Sequence, residues 1–404
     1  MTRTLPAFPR RALLGAGVGL AAAGRARAAE PFRIGVLADM SGAYADVSGA
    51  GSVVAARLAV ADFGAQVLGR PIEVVSADHL NKTDVGVAIA REWLGPGKVN
   101  LILEIGNSAV ALALQTLVRE ADRVAIPVSA VTSDLTGKAC SPNSIHWAQD
   151  NWSNGVGLMR AVLASGKRTF FFVTVDYSFG LSLEADAAGA IAKAGGKVLG
   201  RVRHPLNTTD FSSYLLQAQT SGAEVVVFAS AGHDAVTAIE QAHEFGLTPK
   251  QVLAAPSFYL STAHAIGLAK AQGLLVMQSW YWDTNDETRA WAQRFFRARQ
   301  RMPNDCHAAD YSATLHYLRA VAQTGTNAGR TVIAAMRAAP VVDVFTKDGR
   351  IRPDNKMVFT RDLMRVKAPA QSKGEWDLLE LIGTVPPDQG FRPLGEGGCP
   401  MVKA

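Results

Sequence analysis

The chain has 404 residues, 48% hydrophobic and 19% charged, a globular composition on a chain too long for one core, so two lobes are expected. The formal net charge is +6, but residues 1–28 hold five arginines and no acid, which leaves the remainder nearly balanced. That distribution makes no electrostatic case for nucleic acid.

From Pro9 the chain reads "PRRALLGAGVGLAAAGRARAAEPF": Arg10 and Arg11, a short Ala/Gly/Leu stretch, then Ala26-Arg27-Ala28. A charged head, a short apolar run and a small-x-small site predict an export signal over 1–28 and a periplasmic protein. The arginine pair points to the twin-arginine route. No later stretch reads as long and apolar enough to cross a membrane.

From Phe32 onward, short apolar runs alternate with helical patterns. "RIGVLAD" leads to a helix over 47–63, "PIEVVSAD" to one over 83–94 and "VNLILEIG" to one over 109–120, and "VAIPVSA" follows. After a helix over 151–164 come "TFFFVTVD", "KVLGRVR", "EVVVFAS" and "QVLAAPS", each followed by a helix, and then "GLLVMQS". Strands rich in Val, Ile and Phe without polar alternation are buried on both faces, as parallel strands are. The pattern predicts an α/β protein with two doubly wound parallel sheets, one before about residue 150 and one after.

In open parallel sheets, ligands bind beyond the carboxyl ends of the strands, where helix N-termini point. Those ends nominate Tyr44, Asn107, Ser108, Ser129, Ala130, Val131 and Thr132 from the first half. The second half nominates Tyr177, Phe179, Gly232, His233, Ser257 and Phe258. Trp152 is added because Trp147, Trp152, Trp280 and Trp282 flank the expected passages between the halves. Hydroxyls and free backbone N–H groups suit a carboxylate; rings suit a flat apolar body. Read one at a time, Ser, Asn and Thr at such ends are ordinary helix caps, and the tryptophans are ordinary packing.

Motifs for chemistry are absent: no HExxH, Walker loop, CxxC or GxSxG. No metal and no cofactor are expected. Ser108 sits where a nucleophile elbow would be, but lacks the following glycine and an assignable base, so a secreted hydrolase stays as a rival reading. Cys140 and Cys399 lie in the Gly/Pro-rich loops "GKACSPN" and "GEGGCPM" and are candidates for a disulfide, three free thiols being the alternative.

The stretches "IGVLADMSGAYADVSGAGSVVAARLAVADFG", "IGNSAVALALQ", "PVSAVTSDLTG", "VDYSFGLSLEADAAGAIAKAGGKVLG" and "NTTDFSSYLLQAQTSGAEVVVFAS" resemble the branched-chain amino-acid type of periplasmic solute-binding proteins, the type I binding proteins of ATP-driven importers. The resemblance covers roughly 32–365 and implies two αβ lobes joined by three hinge crossings, acting as a monomer with a membrane permease. The crossings are expected near 148–152, 278–282 and 343–350. Lobe 1 is then 30–148 plus 281–345, lobe 2 is 149–280 plus 346–385, and 386–404 is a tail. In that family, groups on the turns matching Asn107-Ser108 and Ala130–Thr132 hold a ligand carboxylate, and an acid on the second lobe holds the ammonium. The matching stretch here, "AAPSFYLST", has no acid. A small organic acid (aromatic, keto, hydroxy or dicarboxylic) is therefore expected over an amino acid, with Asp150, Asp176 and Asp234 as possible substitutes for the missing anion.

Overall fold

The computed structural model describes residues 1, 2, 4 and 30–402, so the expected signal over 1–28 falls almost wholly outside it. In chain order the first half runs β1 (Phe32–Ala38), α1 (Gly49–Phe63), β2 (Gln66–Val67), β3 (Arg70–Asp78), α2 (Thr83–Leu94), β4 (Val99–Glu104), α3 (Ser108–Glu120) and β5 (Val124–Pro127). The strands form one sheet ordered β2-β3-β1-β4-β5, parallel apart from the β2–β3 hairpin. β4 is buried at every residue, because helices cover both of its faces.

The second half runs α4 (Asn151–Ala164), β6 (Thr169–Val175), α5 (Ser178–Lys193), β7 (Lys197–His204), α6 (Ser212–Thr220), β8 (Val225–Ala229), α7 (Gly232–Glu244) and β9 (Val252–Ala254). Its parallel sheet is ordered β7-β6-β8-β9. β8 is wholly buried, while β7 alternates exposed and half-buried residues. Lys197, Arg201 and Arg203 on that outer strand keep it from pairing with another chain.

Then follow α8 (Leu260–Ile266), α9 (Leu268–Ala271), β10 (Leu275–Gln278), α10 (Asp286–Arg299), α11 (Asp305–Thr324) and α12 (Gly329–Ala338). The chain ends with β11 (Arg350–Ile351), β12 (Met357–Val358), β13 (Arg361–Val366), β14 (Leu379–Val385) and α13 (Pro387–Gly390). α11 packs along α1 and is buried almost all round. β10, β13 and β14 make a small antiparallel sheet beside the second half. Residues 341–358 stay with the first half. Val341 bridges Gly349, β11 pairs with β12, and Lys356 bridges His146.

Side chains pin the places where the chain changes halves. Asp150 caps α4 through Ser153 N–H at 2.7 Å, with the Ser153 hydroxyl returning to the cap. Trp280 is buried, donates to Val344 O at 2.9 Å and meets Trp291 edge-on at 5.5 Å. Trp147 is buried against His316. These rings are packing at the crossings.

The tail crosses as well. After β14, Phe391 is buried against Phe359 and lies under Lys356 and Arg361. Arg392 donates to Ser133 O at 3.0 Å, and Cys399 is disulfide-bonded to Cys140, 259 residues away. Cys306 is a buried free thiol. Tying so long a loop removes much of the unfolded chain's freedom. The double variant Cys140→Ser/Cys399→Ser is expected to lose about 2–5 kcal/mol of unfolding free energy in urea titration.

Candidate functional site

The site begins at the end of β1. Asp39 is fully buried and accepts hydrogen bonds from Ser41 N (3.3 Å), Gly42 N (2.6 Å) and Tyr44 N (2.8 Å). One carboxylate thus folds the Met40–Tyr44 loop and aims the Tyr44 ring. Asn81 Nδ2 donates to the same carboxylate at 2.5 Å, and Asn81 Oδ1 accepts from Asn107 Nδ2 at 3.3 Å. The loops after β1 and β4 are therefore one hydrogen-bonded unit.

At the end of β4 the backbone turns left-handed at two non-glycine residues, Glu104 (φ 76°) and Ile105 (φ 53°). Such conformations cost on the order of 1 kcal/mol or more each and concentrate at functional sites. The turn brings Gly106 and Ser108 to the surface of a space between the two sheets. From the loop after β5, Ser129 and Val131 reach the same space. From the second half come Tyr177, Phe179, Ala231 and Tyr259. With the halves together the free space among these residues is small, about 10 Å³, roughly room for one water. Tyr177 OH donates to Tyr44 OH at 2.9 Å, and Phe179 lies edge-on to Tyr44 at 6.5 Å.

The nominated residues divide in the structure. Tyr44, Ser108, Ser129, Val131, Tyr177 and Phe179 line the cavity, together with Val47, Gly106, Ala231 and Tyr259. Asn107 spends its Oδ1 capping α3, on Ala109 N and Val110 N. Thr132 caps the short turn at Ser133–Thr136, and Ala130 is buried in the core between β4 and α3. Trp152 lies under Arg160, its backbone N–H donating to Ser133 Oγ at 3.0 Å. Gly232 and His233 line a neighbouring crevice, where His233 N–H reaches Ala43 O at 2.9 Å. Ser257 and Phe258 are buried, Phe258 in the core of the second half. The ring at the cavity is the next residue, Tyr259.

The lining carries no charged side chain. Burial pushes the phenols of Tyr44, Tyr177 and Tyr259 well up, so all three are neutral donors or acceptors near neutral pH. Of the acids weighed as anions, Asp150 is spent on the cap of α4. Asp176 is exposed beside Arg203, and Asp234 accepts from Asn207 N at 3.1 Å. Ser108 Oγ accepts from Thr132 N–H at 3.3 Å and, among the described residues, touches no histidine. That arrangement can bind but supplies no base for a nucleophile. Among the described residues no group of three His, Cys, Asp or Glu is placed to hold a metal. A wider crevice near Leu158, Val252 and Leu274 sits at the amino ends of β9 and β10, the end opposite to helix N-termini.

A family model described as periplasmic binding protein matches residues 31–375. The crystal structure of a periplasmic binding protein from Burkholderia mallei is 42% identical, with a TM-score of 0.91 over 92% of this chain and 99% of that chain. A branched chain amino acid ABC transporter periplasmic ligand-binding protein from Burkholderia xenovorans LB400 is 37% identical over the same shares, TM-score 0.81. A curated relative, Leu/Ile/Val-binding protein homolog 6 of Brucella abortus, is 26% identical over 199 residues, 49% of this chain. That match spans about half of the relative's length, 50%.

Proposed function

The chain belongs to the periplasmic binding protein family, and from that premise we propose that its cavity captures a small aromatic or otherwise flat organic acid by closure of the two halves. The loaded protein then presents the acid to the membrane permease of an ATP-driven importer. It acts in the periplasm and makes or breaks no bond.

One observation carries the ligand class: the lining combines neutral hydrogen-bond donors with four aromatic rings and has no charged side chain. Ser108 at the N-terminus of α3 and Ser129 beside it suit a carboxylate, favoured further by the helix dipole. Tyr44, Tyr177, Phe179 and Tyr259 suit a planar body. An amino acid would bury its ammonium against that lining, at a cost on the order of several kcal/mol without an anion. The Burkholderia xenovorans relative is named as a branched chain amino acid ABC transporter protein, which keeps a zwitterion as the second reading. A protein of the same fold from R. palustris was solved in complex with benzoate; at 20% identity that likeness carries the fold alone, and benzoate enters as a probe.

Capture proceeds by contact with one half and closure by the other, the ligand stabilising contacts made only when the halves meet. Three contacts support this reading. They are Tyr44 with Tyr177, Ala43 O with His233 N–H, and Ser133 Oγ with Asp186 Oδ2 at 2.6 Å. The pairing of 341–358 with the first half supports a third crossing at 359–361 in place of 343–350. Lobe 1 then comprises 30–148 plus 281–358, and lobe 2 comprises 149–280 plus 361–385.

Isothermal calorimetry with benzoate, phenylpropenoate, dicarboxylates and leucine tests the function. Heat is expected from an aromatic acid, with leucine weak. Tight leucine binding with no response to any acid overturns the acid reading and leaves the amino-acid one.

A further inference from the structure

A pair of carboxyl groups lies directly behind the cavity wall. Glu104, the last residue of β4, is fully buried and accepts a hydrogen bond from Ser129 Oγ, a wall residue. It reaches the wall because residue 106 has no side chain. A Cβ on Gly106 would lie 3.0 Å from Glu104 Oε1, 3.2 Å from Ser48 Oγ and 3.4 Å from Ser129 Oγ. Asp310 on α11, also fully buried, is within hydrogen-bond reach of Glu104. Neither carboxyl has an ion-pair partner among the described residues. No hydrogen bond of ordinary geometry reaches Glu104 Oε2 or either Asp310 oxygen among those residues. Two ionised carboxylates offer only acceptors to each other; a proton held between them is the donor these oxygens lack.

We infer that Glu104 is a specificity-determining residue of this cavity: acting through Ser129, it decides whether the wall beside Gly106 offers the ligand a donor or an acceptor. The inference rests on the acid-binding reading of the site. With one proton between the two carboxyls and a second on Glu104 Oε1, that second O–H is given to Ser129 Oγ, and the Ser129 hydroxyl hydrogen is free to point at a ligand carboxylate. Without that second proton, Ser129 turns its hydrogen to Glu104, and the ligand meets a lone pair backed by a buried negative charge. The first state fits an acid; the second fits an ammonium.

The surroundings favour retention of the proton. Burial raises Glu104 to about 7, and raises Asp310, against which Glu104 also acts as a like charge. The other titratable groups around the pair are Cys306 and Tyr259, both pushed up by burial, and Asp305, raised by burial to about 6. His307, one turn before Asp310, is pushed down by burial to about 4 and holds Ser48 O. None of these supplies a positive charge to the pair near neutral pH.

Binding an anion beside this pair raises its proton affinity further, so binding takes up a proton and is strongest below the free-state pKa. Benzoate stays ionised over the range tested, since ordinary carboxyls titrate near 4. The test is calorimetry of benzoate binding to the full chain between pH 6 and 8.5, in buffers of differing ionisation enthalpy. The wild type is expected to lose about tenfold in affinity per pH unit above 7 and to take up about one proton. Glu104→Gln, neutral at every pH and able to donate to Ser129, is expected to keep the pH 6 affinity across the range with no proton uptake. Asp310→Leu removes the hydrogen bond by which Asp310 lowers Glu104, so the decline should begin at higher pH; this shift decides the matter if Glu104→Gln does not fold. Flat wild-type affinity, or a decline unchanged in Glu104→Gln, overturns the inference while leaving the acid reading standing. Absence of binding by any acid at any pH overturns both.

Discussion

Replacing Gly232 with alanine is expected to weaken ligand binding at least about a hundredfold while leaving both halves folded. Gly232 opens α7 in the left-handed region, φ 58°. A Cβ there would fall on Ala43 O and lie 2.9 Å from Tyr44 Cδ1. Ala43 and Tyr44 belong to the Met40–Tyr44 loop of the first half, so the clash exists only when the halves meet. The left-handed backbone costs alanine about 1 kcal/mol with the halves apart or together, which lowers stability without touching affinity. The clash acts on the closed form alone. It also breaks the bond from His233 N–H to Ala43 O and separates Tyr44 from Tyr177. A closed state raised by about 3 kcal/mol loses about two decades of affinity. Calorimetry with the best-binding ligand of the panel reads the loss, and thermal unfolding reads the small backbone penalty. Wild-type affinity in Gly232→Ala would mean that these two backbones do not meet in the bound form.

The parallel sheets were readable because their strands are uninterrupted apolar runs such as Thr169–Val175 and Val225–Ala229, a pattern set by burial on both faces. The pairing of residues 341–358 was not. Residues 341–358 contain two strands of two residues each and pair with His146, some two hundred positions earlier, which no local periodicity reports. At the site, the strand-end rule selected Tyr44, Ser108, Ser129, Val131, Tyr177 and Phe179, because helix N-termini and the ends of parallel strands converge physically. It could not separate them from Asn107 and Thr132, whose side chains serve their own helix amides. The nomination of Phe258 stands one residue before Tyr259, the ring that lines the cavity. β9 is three residues long, and the loop behind it has no alternation from which to count. Two acids went unnoticed although each carried a signal. Asp39 precedes Met-Ser-Gly, the sequence of a side chain that gathers the amides after it. Glu104 is the lone acid in an otherwise apolar strand end, "LILEIG", where burying a carboxyl needs a reason.

Arg361→Met is expected to remove about 4 kcal/mol or more of unfolding free energy, the largest loss from any single position at the crossings. Arg361 is fully buried as the first residue of β13. Its Nη1 donates to Ser153 Oγ at 2.7 Å, Nη2 to Asn154 Oδ1 at 2.8 Å and Nε to Gln278 O at 3.2 Å. One planar fork therefore joins the start of α4, the end of β10 and its own strand, where the chain passes between halves. Hydrogen bonds to a charged group are worth about 1.5–3 kcal/mol each, and three of them set the scale. Replacing a whole buried ion pair with apolar groups is often neutral. Here the methionine replaces only the cation and leaves Asp305, which Arg361 lowers, without it. Arg361→Lys keeps the charge but not the fork and should fall between. A pH series separates the lost hydrogen bonds from the lost charge. Asp305 already sits near 6 by burial, above its unfolded value, so its ionisation costs stability as pH rises through 6. Without Arg361 that pKa climbs further, so the gap between variant and wild type should be widest at pH 7 and above and narrow toward pH 5. A gap independent of pH in urea titrations would leave the hydrogen bonds as the whole of the effect, and a variant within about 1 kcal/mol of wild type would show that the crossings are held by packing instead.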